Sequence, residues 1–178
     1  MSKREILLEK AEELILEFGY YQTGVNELIQ ATGISKGSLY YYFPKGKEAL
    51  FALAVSNLIE KELKQVESFC DGKVQKSIHR IADFYLNKQK NKERAFIFGH
   101  MANELKYDEN HTVSELIKEF QADWLSIVSE YLKKKKISSP KRKSKQFYVL
   151  LLGLIQMNDI HYNDKNEVAF DEILDRLF

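Results

Sequence analysis

The chain has 178 residues, 44% of them hydrophobic, which suffices for a core in one large domain or two small ones. Its 27 basic and 26 acidic residues leave a net charge of +1, unlike a polyanion-binding tail, and residues 1–47 balance likewise at six Lys/Arg against six Asp/Glu, so any nucleic-acid footprint rests on placement and not on bulk charge. The one cysteine, Cys70, excludes an internal disulfide framework, and apolar runs such as Val149–Leu152 are too short to span a bilayer.

Proline occurs only at Pro44 and Pro140, while Leu, Ile, Lys, Glu and Ala abound, so the expected class is all-α. Met1–Ser2–Lys3–Arg4 leads straight into an amphipathic segment, which reads as a chain without a signal peptide, cytoplasmic and without a membrane partner. Residues 4–18 put Leu7, Leu8, Ala11, Leu14, Ile15 and Phe18 on one stripe, a helix that Gly19 ends. A short helix over 26–32 follows, then Gly33 at a tight turn with Ile34 pointing inward, and Ser35 as N-cap of a third helix over 36–42. Phe43–Pro44 stops it. A long helix starts at Gly46 or Lys47 and runs to about Glu67, and "SFCDGK" at 68–73 breaks the chain. Further amphipathic segments cover 74–90, 94–107, 112–136, 141–161 and 166–177, nine helices in all.

A short helix, a glycine turn and a second short helix over 26–42 have the spacing of a helix-turn-helix. In such a unit the second helix enters the major groove of duplex DNA with its N-terminal part toward the bases. Leu28, Ile34 and Leu39 would share the core, while Lys36, Gly37, Ser38, Tyr40 and Tyr41 would lie near the exposed face. Gly37 permits close approach, Ser38 can bond a base edge or a phosphate, and Lys36 can reach a guanine edge. Tyr42 and Phe43 are assigned to the core, Tyr40 and Tyr41 to the duplex. Lys45 and Lys47 stand where the positive end of the long helix can hold a phosphate, and the Thr23 hydroxyl is placed for the opposite backbone. Composition and periodicity leave a second reading open, a helical module that offers its tyrosine-rich face to a protein partner.

Residues 7–51 resemble the N-terminal domain of the TetR family of bacterial transcriptional regulators. The resemblance is carried by Leu7, Ala11, Leu14, Ile15 and Gly19, then Tyr20, Thr23 and Val25, then the string Gly33 to Tyr40 with Tyr42 and Phe43, and last Lys47, Glu48 and Leu50. It implies an all-α fold, with a three-helix DNA-binding domain over 1–47 and a helical ligand-binding and dimerisation bundle over 48–178. It implies DNA contacts at Thr23, Lys36, Ser38, Tyr40, Tyr41 and Lys47, and structural roles for Leu39 and Phe43. Two positions depart from the family's pattern: Ile29 stands where alanine is usual, and Gly24 where serine or threonine is usual.

A unit this small reads few bases, and two copies on a two-fold axis read a palindromic operator, so a homodimer is expected. The apolar run "FYVLLLGLIQM" and the last segment supply candidate interface residues Leu151, Leu152, Ile155, Phe170, Ile173 and Leu174. The middle helices are expected to enclose a pocket for a small apolar or amphipathic effector. Phe84, Tyr85, Phe96, Met101 and Tyr107 are candidate lining residues from its first half, and Phe120, Trp124, Tyr148 and Met157 from its second. Release of DNA would follow from a ligand-favoured state with the wrong half-site spacing. No metal-ligand pairing, cofactor motif or catalytic constellation is read, so no enzyme is expected. The basic stretch 133–145 reads as a solvated tip, and Cys70, beside Phe69 and Asp71, has nothing to activate it.

Overall fold

The computed structural model describes residues 1–90, 98, 101–102, 105, 111–160 and 164–178. Among them are eight helices and no strand: α1 (Lys3–Phe18), α2 (Val25–Thr32), α3 (Lys36–Tyr42), α4 (Lys47–Phe69), α5 (Val74–Lys90), α6 (His111–Lys134), α7 (Pro140–Ile160) and α8 (Asp164–Leu177). Most of the helix expected over 94–107 lies outside the described residues. By contacts the chain forms two compact units, residues 1–61 with 97–119, and residues 62–96 with 120–178. The division falls inside α4, after Lys61.

In the first unit α1 packs on α2 and α3. Ser2 and Glu5 close its start reciprocally: the Glu5 N–H donates to Ser2 Oγ at 3.2 Å, and the Ser2 N–H to Glu5 Oε2 at 2.7 Å, satisfying two of the first-turn donors. Leu7, Ala11, Leu14 and Ile15 are buried, with Leu28 of α2, Ile34, and Leu39 of α3. Phe18, expected on the same stripe, is 42% exposed because the helix ends there and turns away. One acid lies inside: Glu12 is buried and accepts from Asn57 Nδ2 at 2.8 Å and from the Lys61 ammonium, tying α1 to the first part of α4. In the second unit α5 contacts α7 and α8, and α7 contacts α8. Between α6 and α7, Lys136 and Ser139 adopt positive φ (58° and 53°), and the Ile137 N–H returns to Leu132 O at 3.0 Å, a tight C-terminal cap. No helix among the described residues is long and apolar enough to cross a membrane.

Candidate functional site

The turn before α3 is set by Gly33, whose φ of 68° suits a residue without Cβ, and its N–H caps α2 on Ile29 O at 2.8 Å. Ser35 then caps α3, accepting from the Ser38 N–H at 3.2 Å. With Leu39 fully buried and Phe43 4% exposed, the helix has one orientation. Lys36, Gly37, Tyr40 and Tyr41 are exposed, and Ser38 is half-buried. The Ser38 hydroxyl accepts from Ser35 Oγ at 3.1 Å, which leaves its own hydrogen to donate outward.

Tyr41 is 78% exposed and meets the Tyr42 ring edge-on at 5.1 Å between centroids. The core role expected for Tyr42 and Phe43 therefore divides: Phe43 is inside, under the Arg4 guanidinium at 5.4 Å, and Tyr42 is half-buried. Tyr40 lies on the backbone of Gly46, where an added Cβ would come within 2.8 Å of Tyr40 Cε1. Lys45 is exposed. Lys47, the first residue of α4, holds its ammonium 5.3 Å from the Tyr20 ring centroid and 4.9 Å from that of Phe51, so rings fix the position of this cation. Chain continuity thus gathers Lys36, Ser38, Tyr40, Tyr41, Lys45 and Lys47 on one short stretch. Arg4 and Gly46 are the residues that sequence reasoning missed.

Thr23 is a correction. It is 1% exposed, and its hydroxyl donates a forked hydrogen bond to Gly19 O (2.8 Å) and Leu14 O (3.0 Å). That hydroxyl ties the end of α1 to the start of the next turn and is not offered to a phosphate. Beside it, a Cβ on Gly24 would meet only the end of the exposed Glu27 side chain, which curls back over the start of α2 and is free to shift.

The second unit gathers several of the expected pocket residues around an acid. Glu62 is 5% exposed and accepts from Tyr85 Oη at 2.9 Å and from Lys88 Nζ at 3.2 Å. The Trp124 Nε1–H donates to Tyr85 Oη at 3.0 Å, and the Trp124 and Tyr148 rings meet edge-on at 5.0 Å. Phe84 is half-buried against Tyr85, at 5.0 Å between centroids. Burial pushes the Glu62 carboxyl up, even though the Lys88 charge and the Tyr85 hydrogen bond pull it down. Burial, and then the Glu62 charge, push the hydroxyls of Tyr85 and Tyr148 up in turn. Phe120 is also buried. Met101 is buried and belongs to the first unit. Phe96 and Tyr107 lie outside the described residues. Met157, expected in the lining, is 55% exposed on the outside of α7, a correction that helical phase explains, since Ile155 beside it takes the inward position.

The expected pairing residues need the same correction. Leu151, Ile155, Phe170 and Leu174 are at most 4% exposed: they fill this chain's own interior, and Leu152 is half-buried. Ile173, 45% exposed, does face outward. The outward stripe of α7 is instead Val149, Gly153 and Met157, where a Cβ on Gly153 would meet nothing within 4 Å. At one end of this stripe a shallow groove of about 550 Å³ runs between Val149, Leu150, Ile173 and Leu177, rimmed by Arg142, Lys145 and Arg176. Elsewhere in the unit, the half-buried Cys70 thiol is pushed up to about 11 by burial and by Glu67 and Asp71, so it is a poor nucleophile. Among the described residues no group of three or more His, Cys, Asp or Glu is placed to hold a metal ion.

Comparison with known proteins follows the same division. The family model of bacterial regulatory proteins, tetR family, matches residues 7–54. The HTH-type transcriptional regulator LmrA of Bacillus subtilis is 49% identical over 57 residues, which are 32% of this chain and 30% of LmrA. RutR of Escherichia coli is 29% identical over 68 residues, 38% of this chain and 32% of RutR. The matched region thus spans about a third of the length of these curated relatives. Over the whole chain the fold is that of E. coli NemR (TM-score 0.83, 18% identity, covering 99% of this chain and 97% of that one). It is also that of a regulator from Streptomyces avermitilis (TM-score 0.79, 24% identity, covering 99% and 96%). Residues 7–54 therefore carry the pattern of the tetR family of bacterial regulatory proteins, and the chain as a whole has the fold of these regulators.

Proposed function

We propose that the chain is a homodimeric transcriptional repressor that holds a palindromic operator through α3 and is released by a small apolar or amphipathic molecule bound in its second unit. Residues 1–47 read the duplex, and residues 48–178 bind the effector and pair with a second copy. The observation that carries the reading is the orientation of α3: Leu39 and Phe43 are buried while Lys36, Gly37, Tyr40 and Tyr41 face outward, with the Lys47 ammonium held on two rings at the start of α4. Cations and hydroxyls suit phosphate, and the exposed first turn of α3 suits base edges. Pairing is assigned to the outward stripe Val149, Gly153 and Met157 with Ile173, where the glycine permits close approach of a second helix. A two-fold pair sets half-sites about 34–36 Å apart or at multiples of that distance. α4 contributes residues to both units, so an effector that favours one arrangement of the second unit biases the half-site spacing, and about 2–3 kcal/mol of such coupling makes a usable switch.

The test starts from a duplex selected out of a random pool by the full chain. Affinity falls steeply with salt, and Lys36→Ala and Lys47→Ala each lower the salt slope by about one. Sedimentation gives a dimer. A chain that retains no duplex, or one whose affinity is flat with salt, overturns the reading in favour of a protein-binding tyrosine face.

A further inference from the structure

The partners of the buried Glu62 carboxylate differ in how readily they leave. Tyr85 and Trp124 are fully buried and chained to each other by a hydrogen bond, so neither moves without opening the core. Lys88 reaches in from the rim with 23% of its side chain exposed. Its ammonium stands 3.2 Å from Glu62 Oε2, 4.3 Å from the Phe84 centroid and 5.9 Å from the Tyr85 centroid. That is how an organic cation is bound: a carboxylate on one side and aromatic faces on the others. Here the head of a lysine on a flexible four-carbon stem stands in for the ligand.

Swinging that head into water restores its hydration, whereas Glu62 cannot follow it. What remains is a buried carboxyl held by the Tyr85 hydroxyl alone, beside rings whose faces are negative, and it keeps its charge only if another cation takes the place of the lysine. Burial keeps the Glu62 carboxyl raised with Lys88 and Tyr85 already in place, so its charge is under-compensated, and an anion brought here would add to the deficit.

The geometry points to a binding site for an organic cation, an ammonium with an apolar aromatic body, which displaces the Lys88 head from Glu62 and lies against the Phe84 and Tyr85 rings that the lysine head now meets. The site deepens the ligand-release reading, and its effect on DNA rests on that reading, while the binding itself does not. Trp124 is the one tryptophan of the chain and donates to Tyr85 Oη, so its emission reports occupancy through that bond.

The test titrates the full chain with phenylbutyltrimethylammonium, with phenylbutanol and phenylbutyrate as neutral and anionic matches. The cation gives a saturable change in Trp124 emission and binds at least about tenfold more tightly than either match. Lys88→Met, which removes the resident ammonium, tightens the cation about tenfold, and Glu62→Gln, which keeps an acceptor for Tyr85, weakens it about tenfold. Circular dichroism checks that both variants fold; if Glu62→Gln does not, the Lys88→Met comparison decides alone. Equal binding of the anion or the alcohol, weaker cation binding by Lys88→Met, or no saturable response in either protein overturns the proposal. Anisotropy of the selected duplex separates the two ideas: a cation that binds while the duplex stays bound removes the release reading and leaves the site. Release by phenylbutanol or phenylbutyrate without cation binding does the reverse.

Discussion

Replacing Gly46 by alanine tests how α3 is presented. Gly46 has φ of 66°, where a residue with Cβ is strained by about 1–2 kcal/mol. The new Cβ would also stand 2.8 Å from Tyr40 Cε1, well inside the optimal carbon–carbon separation of about 3.5–4.0 Å. Tyr40 is 43% exposed, so its ring escapes by swinging outward and loses part of its burial, about 1 kcal/mol at the usual value per unit area. Gly46→Ala is therefore expected to cost about 2–3 kcal/mol in urea unfolding. In a Tyr40→Ala background the collision is gone and only the backbone cost of about 1–2 kcal/mol stays, a coupling of about 1 kcal/mol in the double-mutant cycle. On the proposed function the displaced ring also leaves the surface assigned to the duplex, so Gly46→Ala is expected to weaken duplex binding several-fold at temperatures where the variant is fully folded. A Gly46→Ala protein within about 0.5 kcal/mol of the parent refutes the backbone argument. Equal costs in the two backgrounds refute the ring contact.

Thr23→Val removes a buried hydroxyl that ties two carbonyls, so it costs about 1–2 kcal/mol in thermal unfolding. It leaves the salt slope of duplex binding unchanged; a slope that falls by about one returns Thr23 to the phosphate contacts. Leu151→Glu places a charge at a fully buried position and is expected to lose more than about 3 kcal/mol or fail to fold. Met157→Glu, on the outward stripe, folds within about 0.5 kcal/mol of the parent and sediments as a monomer; an intact dimer moves the pairing face elsewhere. For Glu62, burial raises the folded pKa above its ordinary 4.5, so the stabilisation it brings is complete below pH 4.5 and is lost as pH climbs through the raised value. The melting-temperature difference between the parent and Glu62→Gln therefore shrinks as pH rises from 4.5, and a pH-independent difference contradicts the burial argument.

Punctuation made the first unit legible in the sequence. Gly33, Ser35 and the Phe43–Pro44 pair act on the backbone within a residue or two of themselves, and the observed limits of α3 follow from them. Side-chain direction was less legible. The Thr23 hydroxyl had two destinations, the end of α1 or a phosphate, and only folding α1 beside it decides, because Leu14 O and Gly19 O arrive from another element. Along α7 the apolar residues occupy more than one face, so their identity cannot say which side meets the chain's own interior; Leu151 and Ile155 took that side and left Val149 and Met157 outside.

The two buried acids follow a different rule, and they explain why the centre of the second unit was missed. Glu12 and Glu62 carry no mark of their own in the sequence, because charges on amphipathic helices are usually solvated. Both sit in phase with the buried stripe: Glu12 follows Ala11 and precedes Ile15, and Glu62 continues Val55, Leu58 and Ile59 toward Val66, all of them buried. An acid on an apolar stripe must find donors or lose its charge. Glu12 finds Asn57 and Lys61, and Glu62 finds Tyr85 and Lys88. The periodicity that marks a core leucine thus also marks a buried carboxylate. It does not supply the partners, since Lys88 lies 26 residues from Glu62 and on another helix. At Glu62 those partners include a removable lysine head and aromatic faces, whereas at Glu12 the neighbours that bond it are an amide and a lysine. The same residue type in the same phase therefore ties two helices together in the first unit and forms the polar centre of an aromatic cluster in the second.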